Sequence, residues 1–565
     1  MADRWVPGQA SSRGFSAAAV NGLHVGSASV PHRVTRKRLA LAAASVISLA
    51  VSSACHSDHS LTPDKDVERA VVQTSAGEVR GTVEPGLRVF RGIPYAAAPV
   101  GPMRWQPPRA PAPWAGVRDA TKPGARCIQD VRRDPDFGRA ASEDCLNLNV
   151  WTPRGATPSR QKAVMVWIHG GGFLNGSADI YDAHWMTSQG DIVVVTVNYR
   201  LGALGFLALD ALTRDGDVGN YGLADQQAAL RWVHDNIANF GGDPDKVTIA
   251  GESAGAMSVC DHLVAPGSAG LYRSAILQSG PCQVQADRAT AVRVSGEYSR
   301  GLGCVEPATV AVCLRGLPAS RLQSAPLYVG FGDDRLTGPV TGTPRLPQNP
   351  LTAAARRDMA RVPVLIGTNG DEFTMFVAVQ YLQNSTLPPY RQMLQKTFGH
   401  DAAAVAAHYP LDRNGGQAGP AYAAAVTDSV FACPTNRLVA GLAPGAPVYA
   451  YEFNDRTAPA PDPLRRAPFP VGASHSLELR YLFNVGGAPP LNPAQWKLAD
   501  EMIAYWSEFV KTGSPSLSAQ PDWPQVGVDA ANGPMLSLQT GALSITTDFA
   551  DRHQCAFWAS IPGPR

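Results

Sequence analysis

The segment KVTIAGESAGAMSV, Lys246 to Val259, sets Gly251-Glu252-Ser253-Ala254-Gly255 where a strand runs into a helix. Val247 and Ile249 alternate with polar neighbours as a strand does, and small and apolar residues follow at helical spacing from Ala254. A tight turn there strains the serine backbone and holds its oxygen out, and glycines two positions to either side leave room for neighbouring backbone. The helix N-terminus adds positive potential beneath it. That corner suits nucleophilic attack on a carbonyl. It also suits a plain helix N-cap, a role serine favours.

A serine hydroxyl attacks only when a base removes its proton and donors hold the oxyanion. The donors belong in an earlier loop. His169-Gly170-Gly171-Gly172-Phe173 closes the apolar run AVMVWIH, and its three glycines let backbone N–H groups converge. With the Ala254 amide, Gly171 and Gly172 make a three-donor hole in which each donor is worth on the order of 3 kcal/mol. With a turn of this kind the acid follows the serine and the histidine follows the acid. RVPVLIGTNGDEF offers Asp371 and Glu372, and the chemistry alone leaves both open. His400, His408, His475 and His553 lie downstream. His408 falls in an alanine-rich helix and His553 beside Cys555 near the terminus. His475, in VGASHSLELRYLF, has small residues before it and a helix after it, so a loop can present its imidazole.

These residues need a scaffold. AVMVWIH (163–169) and DIVVVTVNY (191–199) are near-continuous apolar strands, as in a parallel sheet buried on both faces. ADQQAALRWVHDNIANF (224–240) reads as an amphipathic helix, GGDPDK as a turn, and VTIA as a strand. SAILQSG, RVPVLIGTN and VYAYEF continue the alternation, and DEMIAYWSEFVKTG (500–513) is a late helix stopped by glycine. The pattern predicts an α/β class fold, an open, mostly parallel sheet with helices on both faces. Ligands then bind at the carboxyl ends of the strands, where Ser253 lies.

The chain has 565 residues and a net charge of +2, with no basic excess of the kind that nucleic-acid binding requires. Arg36, Lys37 and Arg38, the apolar run Leu39 to Val51, and Ser52-Ser53-Ala54-Cys55 have the layout of an export signal, expected over 34–55. The run is too short to span a membrane, and no comparable run follows. Residues 1–33 are an N-terminal extension without a role in export, with Val34 as an alternative start. HSDHSLTPDKD belongs to a linker over 56–69. One domain is expected over 70–562. Small residues before Cys55 resemble a lipoprotein cleavage site, although Ser52 stands where leucine is usual. The expected location is secreted or periplasmic, with a lipid anchor at Cys55 as the variant. Nine cysteines suit an exported protein, and the absence of CxxC and of zinc-ligand Cys/His spacing argues against a metal.

Taken together these motifs resemble the type-B carboxylesterase and cholinesterase family of α/β hydrolases, including its bacterial para-nitrobenzyl-esterase-like members. FRGIPYAAAPVGPMRW, SEDCLNLNVW, HGGGF, NYRLGALGF, GNYGLADQQAALRWVHDNIANFGGDP and GESAGA stand in family order, and the likeness runs from about Ala70 to Trp558. The resemblance implies one large α/β-hydrolase domain with insertions over the site, and a serine carboxylesterase that needs no cofactor and acts on a small-molecule ester. It implies Ser253 as nucleophile, Glu372 as acid and His475 as base, with Gly171, Gly172 and Ala254 as the oxyanion hole. Glu252 and Glu478 match supporting positions. It pairs Cys127 with Cys145, Cys304 with Cys313 and Cys433 with Cys555. Cys260 and Cys282 either pair or stay as buried thiols. Residues 128–144 carry Arg132, Arg133 and Arg139 and lack the tryptophan with which cholinesterases bind a quaternary ammonium, which argues against choline esters. Phe373 stands where the family has glycine; with Phe173 and Phe376 it is expected to line the acyl side of the pocket. A lipase, a carbamate or amide hydrolase, and a non-catalytic adhesion protein are the alternatives on this fold. Adhesion relatives usually lack the serine or the histidine, and both are present here.

Overall fold

The structure is a computed structural model and describes residues 70–129, 140–213, 216–518, 520–527 and 532–561. The extension 1–33, the export signal 34–55 with Cys55, the linker 56–69, and Arg132, Arg133 and Arg139 lie outside the described residues.

Eleven strands form the main sheet. In chain order they are β1 (Thr82–Glu84), β2 (Leu87–Pro94), β3 (Asn147–Pro153), β4 (Lys162–Ile168), β5 (Val193–Val197), β6 (Gly242–Glu252), β7 (Ser274–Gln278), β8 (Val364–Asn369), β9 (Val448–Phe453), β10 (Met535–Leu538) and β11 (Ser544–Thr546). Across the sheet the order is β11-β10-β9-β8-β7-β6-β4-β5-β3-β2-β1. From β5 through β10 every neighbouring pair is parallel. The outer pairs are antiparallel. The fold is that of an α/β hydrolase.

The apolar runs are explained by burial on both faces. Along β4, Val164, Val166 and Ile168 join one core cluster, while Met165 and Trp167 join another. On β5, Val193 and Val195 go to the first cluster and Val194 to the second. The period of two in side-chain direction sends alternate residues to opposite layers, so neither face tolerates a polar stripe.

The helices that matter for the site are α1 (Tyr221–Asn236), α2 (Ala254–His262), α3 (Thr374–Asn384), α4 (Ala418–Val426), α5 (Cys433–Leu442), α6 (Pro493–Thr512), α7 (Phe549–Arg552) and α8 (Cys555–Ser560). A π-helical turn, Thr427–Ala432, joins α4 to α5. The helix expected over 224–240 begins at Tyr221 and tightens to a 3₁₀ turn after Asn236. The late helix begins at Pro493, behind an Asn492–Gln495 capping box, and stops at Gly513 with φ 83°. The expected turn GGDPDK is instead drawn into β6 as a bulge: Gly242 pairs with Lys162 and Val247 already with Val164. A local Asp245 N–H to Asp243 bond keeps turn character inside that bulge.

Candidate active site

β6 ends at Glu252 and α2 starts at Ala254, leaving Ser253 alone at the corner with φ 56° and ψ −123°. A non-glycine residue pays a steric cost there and persists only when its surroundings over-determine it. Ser253 N–H donates to the Gln278 carbonyl at the end of β7, 2.9 Å away, and the Ser253 carbonyl accepts from Met257 N–H at 2.9 Å. The flanking glycines are required by space. A Cβ at Gly255 would lie 2.0 Å from the Ile168 carbonyl oxygen, and one at Gly251 would lie 2.5 Å from the Gly255 carbonyl carbon.

The glycine loop follows β4, beside this corner. Gly171, Gly172 and Phe173 take φ values of 101°, 61° and 58°, so three successive residues are left-handed. A Cβ at Gly171 would strike the Asn175 carbonyl oxygen at 2.2 Å. The Gly171 carbonyl accepts from Leu174 and Asn175, which closes the loop into a compact turn. The Ala254 N–H, in the first turn of α2, has no partner within its helix. His169 is spent structurally: its buried ring stacks on Tyr199 at 4.5 Å, and burial lowers its pKa to about 4.

His475 lies in the loop after β9, next to Ser476, whose backbone is left-handed (φ 66°). Its Nδ1 is 2.6 Å from Glu372 Oε2, and its Nε2 is 3.2 Å from Glu252 Oε1. His475 N–H also donates to the Glu372 carbonyl at 3.2 Å. Glu372 is fully buried, and its other oxygen accepts from Thr368 Oγ1 at 2.7 Å and Asn369 N–H at 2.8 Å. Asp371, the other carboxylate open to chemistry, faces away. It accepts from Ala473 N–H at 3.0 Å, meets Arg456 at 3.0 Å, and so straps the loop that carries His475.

Three glutamates ring the imidazole. Glu252 accepts from Ser476 Oγ at 2.5 Å. Glu478 accepts from Asn369 Nδ2 at 2.7 Å and Gln278 Nε2 at 3.3 Å, and Gln278 is fixed in turn by the Trp506 indole N–H at 2.9 Å. Burial lowers the pKa of His475, but the charges of Glu252 and Glu372 outweigh it and hold the ring up at about 9. Burial raises Glu252. Burial, then the charge of Glu252, push Glu478 up to about 8.

Aromatic rings close one side. Phe376 and Phe431 stand 5.2 Å and 5.3 Å from the His475 ring. Phe373 is buried behind them, 5.0 Å from Phe376, and Phe331 touches all three. Phe173 is fully buried against Phe206 at 5.0 Å, on the glycine-loop side. The structure therefore places Glu372 and Glu252 against His475, with Glu478 close by, Ser253 next to Glu252 at the corner, and the glycine loop at the end of the neighbouring strand β4. It adds Ser476, Thr368, Asn369, Gln278, Phe331 and Phe431. Thr368 and Asn369 carried a visible signal, a polar pair at the end of an apolar strand just ahead of the acid. Phe331 and Phe431 carried none, since each arrives from a distant insertion.

Four disulfides are formed: Cys127–Cys145, Cys260–Cys282, Cys304–Cys313 and Cys433–Cys555. Cys260 and Cys282, which either pair or stay reduced on sequence grounds, are bridged here. That bond ties the nucleophile helix α2 to the segment after β7.

A strained serine, an imidazole bonded to a buried carboxylate and a loop of left-handed glycines can carry acyl transfer. Known proteins agree. The sequence profile of the carboxylesterase family matches residues 68–558. The chain is 33% identical to a human cocaine esterase over 528 residues, covering 87% of this chain and 90% of that one. It is 33% identical to a mouse acylcarnitine hydrolase over 501 residues, covering 82% and 87%. It is 35% identical to a fumonisin B1 esterase of Sphingopyxis macrogoltabida over 482 residues, covering 81% and 85%. The solved structure of a thermophilic PNB esterase superposes with a TM-score of 0.73 at 31% identity, covering 86% of this chain and 99% of that one.

Proposed function

The chain belongs to the carboxylesterase family and is a serine-type carboxylic ester hydrolase, and we propose that Ser253, His475 and Glu372 are its catalytic triad. Ser253 Oγ attacks the ester carbonyl while His475 Nε2 accepts its proton. The oxyanion is held by the Gly171, Gly172 and Ala254 N–H groups. The tetrahedral intermediate collapses, the alkoxide leaves with the proton from His475, and the acyl group stays on Ser253. Water, deprotonated by the same nitrogen, then releases the acid. Glu372 holds the ring orientation and offsets the imidazolium charge. Glu252 and Glu478 support that charge from the other side. Phe173, Phe373 and Phe376 bound the acyl pocket.

The observation that carries this reading is the 2.6 Å bond from His475 Nδ1 to Glu372 in a buried site. That bond directs Nε2 toward the β6–α2 corner, where it lies 3.2 Å from the residue preceding Ser253. The test is hydrolysis of para-nitrophenyl acetate by Ser253→Ala: loss of about 10³-fold or more in kcat is expected, and an unchanged rate overturns the assignment.

The four disulfides fit a secreted or extracellular protein, and no helix among the described residues is long and apolar enough to cross a membrane. The family implies a small-molecule ester as substrate. We further infer that residues 34–55 direct bacterial export, that 70–562 form one domain, and that Cys55 is the point of any lipid anchor. Mass spectrometry of the mature N-terminus decides between simple cleavage and a lipidated Cys55.

A further inference from the structure

Away from Ser253 a second histidine is held between two carboxylates. His553 is buried, with Nδ1 2.5 Å from Asp428 Oδ1 and Nε2 2.8 Å from Glu452 Oε1. Both ring nitrogens donate only when the imidazole is charged. Burial lowers its pKa, but Asp428 and Glu452 prevail and hold it at about 10. The surroundings complete the cluster. Arg552 Nη1 reaches Glu452 at 3.2 Å, Tyr409 OH donates to Asp428 at 2.7 Å, and the Trp558 indole N–H donates to Tyr409 OH at 2.6 Å. The Phe549 ring lies 4.4 Å from His553, and Cys433 Sγ, bridged to Cys555, lies 3.3 Å from the His553 carbonyl oxygen.

The two carboxylates sit on the two elements that bear on the triad. Asp428 belongs to the π turn 427–432, a geometry that is rare in proteins and concentrated at functional sites. In that turn, Thr427 Oγ1 accepts the N–H of Phe373, the residue after Glu372, at 2.9 Å, and Phe431 faces the His475 ring. Glu452, the penultimate residue of β9, is in register with Thr368 of β8, whose hydroxyl binds Glu372.

We propose that His553 is a positioning residue for ester hydrolysis: it clamps Asp428 to Glu452 and thereby fixes, through Thr427, Phe373 and Phe431, the orientation of Glu372 and His475. The proposal rests on the triad reading above. It goes beyond that reading in assigning a role to a group that touches neither substrate nor triad.

The experiment compares His553→Gln, Asp428→Asn and Thr427→Val with the parent enzyme. Reactive serine is titrated with a fluorophosphonate, and kcat and KM for para-nitrophenyl acetate are expressed per titrated serine. Each variant is expected to lower kcat by about fivefold or more with KM within about twofold, the signature of a displaced triad. The His553→Gln/Asp428→Asn pair falls no further than the worse single variant, as coupled groups do. A kcat per titrated serine within about twofold of the parent in all three variants, with only the melting temperature reduced, overturns the proposal and leaves His553 a packing element. If His553→Gln does not fold, the more conservative Asp428→Asn and Thr427→Val decide. A parent enzyme that turns over ester without taking up the phosphonate overturns the triad reading and the clamp with it, an outcome distinct from failure of the clamp alone.

Discussion

Replacing Glu252 by glutamine keeps the side-chain shape and an acceptor for Ser476, and removes the charge 3.2 Å from His475 Nε2. Glu252 is the strongest of the upward influences on that imidazole. At an effective dielectric of about 20, a unit charge at this range is worth on the order of 5 kcal/mol. Burial disfavours the charged form of both groups, so only part of that attraction appears as a shift of the imidazole. A remainder of about 1.5–3 kcal/mol corresponds to about one to two pH units. The sign follows from the mechanism. The base must be neutral, so activity falls as pH drops through the pKa of the free enzyme's His475, and lowering that pKa moves the acid limb down. The Glu252→Gln variant should therefore hold its activity to lower pH than the parent. Its plateau should be lower by about 10- to 100-fold, because the imidazolium formed in the transition state loses a counter-charge. The assay is kcat/KM for para-nitrophenyl acetate across about pH 5 to 10, corrected for spontaneous hydrolysis. Acid limbs that coincide within about 0.3 pH units would refute the reasoning, since Glu252 would then carry no charge beside His475.

Adjacent carboxylates should separate cleanly: Glu372→Gln lowers kcat by about 10³- to 10⁴-fold, whereas Asp371→Asn, which only loosens the strap on Ala473, lowers the melting temperature with kcat within about threefold. Equal losses of kcat in the two variants would reverse the assignment. Gly255→Ala drives a methyl onto the Ile168 backbone oxygen at 2.0 Å, so urea unfolding should show a loss above about 4 kcal/mol, or no folded protein at all. His553 has a folded pKa of about 10 against an ordinary value near 6.5, so its stabilisation is complete below about pH 6.5 and lost as pH rises toward 10. Melting temperature against pH should fall more steeply over that window in the parent than in His553→Gln, and parallel curves would contradict it.

Much of the site was legible because its chemistry is written in local backbone. GESAG and HGGGF declare themselves through glycines that no side chain could replace, and a strand precedes each. The parallel strands declared themselves through apolar runs that only two covered faces permit. Asp371 and Glu372 could not be told apart by chemistry, since both follow the same strand and differ only in which way the side chain turns; family likeness, not spacing, selected Glu372. His553 reads only as a residue near the terminus, since its partners lie 125 and 101 residues away. No short window holds that pairing. GGDPDK reads as a turn because Gly, Asp and Pro usually make one, and the sheet overrode that preference by absorbing the extra residues as a bulge.

Ser253 and Glu372 leave the sheet from β6 and β8, and one strand, β7, lies between them. Two inter-strand steps span about 9.6 Å, close to the reach of one imidazole ring with a hydrogen bond at each nitrogen. The sheet thus acts as a ruler. On the triad reading, one inter-strand step would set nucleophile and acid about 4.8 Å apart and three steps about 14 Å apart. The spacing of the proposed nucleophile and acid is inherited from the repeat of peptide hydrogen bonds, so the insertions above it can change length and shape without resetting it.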